Sequence, residues 1–395
     1  MKGGGKTGDR NGSGPERGWK EVMLFLAVVS IFIMTFFALI GLVLSIVYTV
    51  DSTMDWRYIL GSVLFALFLI LTQVVTHIMH GRCMYPLYLI SSLGLALFFY
   101  LFLVSAAILL LILFLIVWGM SFHSFAGAGT VRVLVPVLIS AVMLYGLLNA
   151  RFLRRTRITI PFPEGEKERV RLALISDLHL GLLVGKRRLD AVAGSLKEYR
   201  PDLIIIAGDL LDTHPRNLER FDPFVRELCS TAPVLAVSGN HEFYNGYRES
   251  LEWMSSMGVT LLENRWVRDE RTGLVLIGIG DPTSFGDIGR YREKLHELVE
   301  SSPGGNGRIL VSHQPLFFSE VAGKGVNLML SGHTHAGQIW PFNLVTRAIF
   351  AEGDRGLHEM NGSHLYVCQG TGTWGPPMRV GTYSELVLMD LVRKD

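Results

Sequence analysis

Cysteine is scarce in this chain: Cys83, Cys229 and Cys368 lie far apart and form no CxxC pair. Their spacing excludes a disulfide framework and a thiolate zinc site, and it fits a reducing compartment. A charge excess of either sign is also missing, since the 395 residues carry a formal net charge of only +2. Nucleic-acid binding needs a concentrated basic face, so no nucleic-acid partner is expected. Charge is scarcest between Val22 and Ala150, where Asp51, Asp55, Arg57, Arg82 and Arg132 are the only acidic or basic residues apart from histidine. A complete phosphate-binding loop is absent too. Gly3-Gly4-Gly5-Lys6-Thr7 imitates the end of one, but the required earlier glycine would precede residue 1.

The sequence that is present divides into three parts. Residues 1–20 are Gly-rich and basic, which predicts a disordered tail. Residues 21–150 hold four apolar stretches, Val22–Val50, Tyr58–Met79, Leu87–Trp118 and Val131–Ala150. A helix needs roughly 20 apolar residues to cross a ~30 Å hydrocarbon core, so a bundle of about four transmembrane helices is expected. Leu87–Trp118 reads as one span because its middle, Phe98–Ser105, holds no turn-forming residue. Its Ser91-Ser92-Leu93-Gly94 end is expected to be bent or interfacial. Basic residues gather in the tail, at Arg82, and at Arg151, Arg154, Arg155 and Arg157. The positive-inside bias then puts the tail and the domain 151–395 on the cytoplasmic face of the cell membrane. The arginines at 151–157 read as a topology anchor that would also hold anionic lipid nearby.

From Thr156 the pattern turns to short β-rich runs alternating with helical ones, which predicts buried sheet covered by helices. Expected strands are Val170–Ser176, Leu203–Ala207, Val234–Val237, Leu274–Ile279, Ile309–Ser312, Leu328–Ser331, Leu365–Cys368 and Leu386–Leu391. Chemistry-bearing residues cluster just after these runs. Asp177 and His179 stand in Ser-Asp-Leu-His, and Asp209 and Asp212 in Gly-Asp-Leu-Leu-Asp. Asn240 and His241 stand in Gly-Asn-His-Glu, His313 in Ser-His-Gln-Pro, and His333 and His335 in Gly-His-Thr-His. Loops at the carboxyl ends of strands are where α/β folds gather functional groups. Residues two apart on extended chain point the same way, so Asp177/His179 and His333/His335 can act as pairs.

This ordered set resembles the calcineurin-like metallophosphoesterase family over roughly Arg169 to Leu391. The run Gly370-Thr371-Gly372-Thr373-Trp374-Gly375-Pro376-Pro377 is similar to the branch containing bacterial membrane-associated phosphodiesterases, some of which act on lipid precursors. The resemblance implies a four-layer αββα sandwich and two divalent metal ions sharing Asp209. One would also take Asp177, His179 and His335, the other Asn240, His313 and His333, and His241 would serve the leaving oxygen or the transition state. Oxygen and imidazole donors without thiolate suit manganese, iron or zinc. Two such ions against the Asp177 and Asp209 charges leave a centre that attracts phosphate. Asp212 is assigned a supporting role, and Arg379 a structural hydrogen bond ahead of a phosphate contact.

The expected activity is therefore hydrolysis of a phosphodiester or pyrophosphate, with the spans pointing to a lipid-linked substrate and to membrane lipid as a partner. Hydrolysis of soluble nucleotides or generic diesters, with the helices as anchor only, is a second reading. A non-catalytic membrane scaffold is a third, against which the intact donor set argues.

Overall fold

A computed structural model describes residues 35–48, 55–78, 82–122, 128–162, 168–305 and 307–393. The expected tail, 1–20, and the first part of the stretch Val22–Val50 lie outside these residues. Four N-terminal helices are described: α1 (Thr35–Tyr48), α2 (Trp56–Ile78), α3 (Tyr85–Val117) and α4 (Ala128–Arg151). Among the described residues, two segments are long and apolar enough to cross a membrane, Tyr85–Val117 and Gly129–Arg151. The apolar lengths of α1 and α2, Thr35–Tyr48 and Trp56–Thr72, are shorter. Of the four expected spans, the structure thus supports two by length. The Ser91–Gly94 segment, expected to be bent or interfacial, lies inside α3, one 33-residue helix about 50 Å long at 1.5 Å per residue.

The chain divides into two compact units. The first contains residues up to Val75 and Gly94–Ile139. Here Phe37 stacks on Phe98 at 3.8 Å between ring centroids. The only basic side chain in the second half of the apolar region, that of Arg132, is spent on backbone: its Nε donates to the Val47 carbonyl at 2.6 Å.

The second unit contains Thr76–Leu93 and everything from Ser140. Its first sheet is built from β1 (Leu153–Phe162), β2 (Arg169–Ile175), β3 (Leu203–Ala207), β4 (Val234–Val237), β5 (Thr260–Leu261) and β12 (Ser384–Arg393), in the order β1-β12-β2-β3-β4-β5. The second comprises β6 (Arg265–Arg268), β7 (Val275–Ile279), β8 (Arg308–Ser312), β9 (Leu328–Ser331), β10 (Gly356–Met360) and β11 (Ser363–Val367), in the order β10-β11-β9-β8-β7-β6. The central pairs β2–β3, β3–β4, β7–β8 and β8–β9 are parallel. Such strands are covered on both faces and read as continuous Val/Ile/Leu runs. Leu203-Ile204-Ile205-Ile206-Ala207 is one, buried throughout.

Alternation along these strands sorts the side chains into three apolar layers. Leu172, Leu174, Leu203 and Ile205 meet Leu276, Ile309, Val311 and Leu328 between the sheets. Ala173, Ile175, Ile204 and Ile206 face α5 (Lys186–Tyr199), α6 (Asp222–Thr231) and α8 (Tyr247–Ser256). Ile277, Ile279, Leu310 and Met329 face α10 (Ile288–Ser301) and α11 (Phe318–Val321). The result is helix, sheet, sheet, helix. Three shorter helices, α7 (Asn240–Tyr244), α9 (Pro282–Phe285) and α12 (Phe342–Ile349), sit in loops.

The arginines that read as a topology anchor have a further role. Arg154, Arg155 and Arg157 lie on β1, a strand not anticipated from the sequence, which pairs in parallel with β12. Arg155 and Arg157 both bind Glu198, at 2.5 and 3.3 Å. Exposed pairs of this kind contribute about 0–1 kcal/mol each, so the strand ladder and the buried Ile160 and Phe162 hold the segment.

Ile205 is wholly buried between the sheets. Ile205→Ala should lower stability by about 2–5 kcal/mol, the range for a truncated core isoleucine. Chemical denaturation of the purified chain, followed by near-ultraviolet circular dichroism, measures it.

Candidate metal centre

Each chemistry-bearing loop leaves the carboxyl end of a strand. Asp177 and His179 follow β2, Asp209 follows β3, and Asn240 and His241 follow β4 and open α7. His313 follows β8, and His333 and His335 follow β9. Five of these side chains sit on left-handed backbone: Asp177 (φ 50°), His179 (52°), Asp209 (50°), His333 (69°) and His335 (48°). A non-glycine residue in that region costs on the order of 1–3 kcal/mol where it is unfavourable, and such positions concentrate at functional sites. Glycine is required beside them. A Cβ on Gly239 would stand 2.2 Å from Asp209 Oδ1.

The structure brings all eight sequence-expected residues into one cluster. Donor atoms of Asp177, His179 and His335 lie within 4.8 Å of one another, as do those of Asp177, Asp209 and His313. Asp209 Oδ2 lies 3.9 Å from His179 Nε2 and 3.3 Å from His313 Nε2. His333 Nδ1 lies 3.1 Å from Asn240 Oδ1 and 3.2 Å from His313 Nε2. Asp209 therefore stands between two groups of donors, one around Asp177, His179 and His335, the other around Asn240, His313 and His333.

The hydrogen bonds around the cluster fix which lone pairs face inward. His313 Nδ1–H donates to the Ala207 carbonyl at 2.8 Å, so its Nε2 is turned toward Asp209. His335 Nδ1 accepts from Arg379 Nη2 at 3.2 Å. The Nε2 atoms of His179 and His335 face each other at 3.1 Å. Burial lowers His179 to about 4, with His241 second, and lowers His333 to about 4, with His313 second. At His313 burial is outweighed by Asp209, which holds it well above its ordinary value. Burial, with His179 and Arg379, also holds His335 well below its ordinary value. His179, His333 and His335 are thus buried imidazoles held neutral beside carboxylates, a donor set that a cation completes.

His241 differs from the others. Burial pulls its pKa down, but the hydrogen bond to Asp212, helped by Asp209, outweighs this and lifts it to about 9. Its Nδ1 lies 2.9 Å from Asp212 Oδ1, and its backbone N–H donates to Asp209 Oδ1 at 2.8 Å. The Trp374 and Tyr244 rings stand edge-on to it, 6.0 and 5.8 Å away.

Two supporting residues complete the arrangement. Glu242 was not singled out from the sequence, although it ends the Gly-Asn-His-Glu motif. Its wholly buried carboxylate accepts backbone N–H groups from Asp209 at 3.0 Å, Leu211 at 2.9 Å and Gly239 at 2.7 Å. Arg379 is fully buried and donates to the carbonyls of Gln369, Gly370, Gly372 and His335. Its role is structural.

A family model described as calcineurin-like phosphoesterase matches residues 170–337. An uncharacterized metallophosphoesterase of Aquifex aeolicus is 32% identical over 266 residues, 66% of this chain and 98% of that protein. The chain belongs to this family. The calcineurin-like phosphoesterase described here is also 30% identical to a transmembrane protein with metallophosphoesterase domain from Danio rerio, over 66% of this chain and 62% of that one. A Bos taurus protein of the same description is 31% identical, over 56% and 53%. The phosphoesterase is accordingly a metal-dependent hydrolase, and its Asp/His clusters are fitted to a dinuclear site.

Glu242→Ala would leave three buried amides without an acceptor, at about 1–3 kcal/mol apiece. The variant should melt well below the wild type, and elemental analysis should show a reduced metal content.

Proposed function

We propose that this phosphoesterase is a membrane-anchored hydrolase that cleaves a phosphodiester or pyrophosphate in a lipid-linked substrate. The observation that carries the phosphoester part is the position of Asp209 between two buried donor groups. Asp177, His179, Asp209 and His335 would hold one ion, and Asp209, Asn240, His313 and His333 the other. Manganese, iron or zinc suits these donors. Bound ions of this kind supply Lewis acidity for the reacting phosphorus centre.

The chain's own residues orient and protonate. Asp212 accepts from His241 Nδ1–H, which fixes the tautomer and turns the other ring nitrogen outward. Asp209 Oδ1 anchors the backbone of the same residue, so the acid stands beside the shared carboxylate. From there His241 delivers a proton to the departing oxygen, general acid catalysis of the ordinary kind. Trp374 and Tyr244 limit how far the ring can swing.

The lipid part is supported by location. Two helices have membrane-crossing length and composition, and two relatives bear the description transmembrane protein with metallophosphoesterase domain. Arg151 ends one of these helices and Arg154, Arg155 and Arg157 follow it, a charge bias that favours a cytoplasmic catalytic domain.

Asp209→Asn should abolish turnover of a chromogenic phosphodiester and reduce binding of both metal equivalents. Near-normal activity with two ions retained would refute the shared-carboxylate assignment. His241→Ala should keep the metals and slow hydrolysis by about 10²–10⁴-fold, less for good leaving groups. An equal loss across leaving groups would make the residue a positioning group. Membrane-impermeant thiol labelling of cysteines engineered into the catalytic domain should fail in intact cells, and strong labelling would reverse the orientation.

A further inference from the structure

The catalytic unit holds a cavity of about 560 Å³, within the range of small-molecule pockets. One wall is apolar, formed by Leu89 and Leu93 of α3 and Leu147 of α4. The lining also carries Arg151, Arg187 and Arg188. The floor is Gly372 and Thr373, part of the strap that lies on the Asp177 loop. Gly372 N–H donates to the Asp177 carbonyl at 2.9 Å, and a Cβ there would stand 2.3 Å from the Leu178 carbonyl oxygen. The next strap residue, Trp374, faces His241 on the reacting side. The same strap thus lines the cavity at Gly372 and Thr373 and meets His241 at Trp374.

Arg188 marks what the cavity would take. Its Nη2 donates to the Ala150 carbonyl and to Ser384 Oγ, while its buried Nη1 has no hydrogen-bond partner. Among the described residues, no carboxylate pairs with Arg151, Arg187 or Arg188. A buried guanidinium donor without a partner costs about 1–3 kcal/mol or more, and three arginines at one rim repel one another. An anionic group removes both penalties, and guanidinium forks match phosphate oxygens well. A ligand that fills the whole recess must carry that anion and an apolar chain for the leucine wall. A soluble nucleotide offers the first without the second.

We infer that this cavity is the subsite for the non-reacting part of an amphiphilic phosphate ester, with its chain on Leu89, Leu93 and Leu147 and a second phosphate on Arg188. The inference rests on the lipid-linked reading above and specifies where specificity for that class resides.

Three substrates test it on the full chain in neutral detergent with manganese: p-nitrophenyl hexadecyl phosphate, p-nitrophenyl ethyl phosphate and hexadecyl diphosphate. The first two share a reacting centre and leaving group and differ in chain length alone. Wild type should favour the hexadecyl ester, and Leu93→Trp or Leu89→Trp should reduce that preference in kcat/KM at least about 10-fold. The residual turnover of the ethyl ester reports that each variant is folded. Arg188→Gln should slow hexadecyl diphosphate, which has a second phosphate, about 10-fold more than it slows the hexadecyl diester. A wild type indifferent to chain length would defeat the lipid-linked reading, and this subsite with it. Chain preference kept by both tryptophan variants, or an equal loss on all substrates in Arg188→Gln, would overturn the subsite and leave the lipid-linked reading standing.

Discussion

The Asp209 carboxylate is the point on which the remainder of the site is arranged. Oδ1 is held by the His241 amide, and Oδ2 faces both His179 and His313. That division requires a residue whose backbone turns out of β3 into left-handed geometry, with Gly239 packed so close that no side chain fits between. Glu242 maintains the turn from behind by accepting the amides of Asp209, Leu211 and Gly239. A carboxylate that is itself buried thereby organises the backbone around another buried carboxylate. The like charges are tolerable because imidazoles face Asp209 and amides surround Glu242.

Neither sheet contains the centre alone. Asp177, His179, Asp209 and Asn240 come from loops of the first sheet, and His313, His333 and His335 from loops of the second. Each proposed donor group draws on both. Alignment of the two halves is therefore a property of the core between the sheets, where Leu174, Ile205, Ile309 and Leu328 interdigitate. Interiors are close-packed, so a shift of one sheet against the other is resisted by every such contact. The His333 N–H to Asp177 carboxylate bonds, both 3.1 Å, close the seam at the metal-binding end.

Much of this was legible in the residues. Parallel strands buried on both faces leave uninterrupted apolar runs, so β3, β4, β8 and β9 read directly, and the donor motifs stand at their ends. Asp212 and Arg379 were placed in supporting roles, which agrees with the His241 contact and with the buried guanidinium. The arginine-rich β1 was not legible as a strand. Its alternation is masked because the outer positions carry Arg155 and Arg157, whose charge also serves a sequence next to apolar helix. Glu242 escaped notice because its task, accepting three amides, depends on turns that no local pattern specifies. At the N-terminus the apolar stretches Tyr58–Met79, Leu87–Trp118 and Val131–Ala150 each correspond to a helix, while most of the first half of Val22–Val50 lies outside the described residues.

The pairing of β1 with β12 has a consequence for how the chain is made. Leu153 lies opposite Ser384, and β12 separates β1 from β2 by inserting between them. While a ribosome is still reading the more than two hundred codons between these strands, β1 and β2 have no neighbour in common. Until β12 is made, the edge of β2 that it will cover has no strand beside it. Contacts of such long sequence separation form late, and an open apolar edge is a site of mispairing. β1 itself carries Arg154, Arg155 and Arg157, and charged side chains on a strand that must wait for its partner oppose edge-to-edge mispairing.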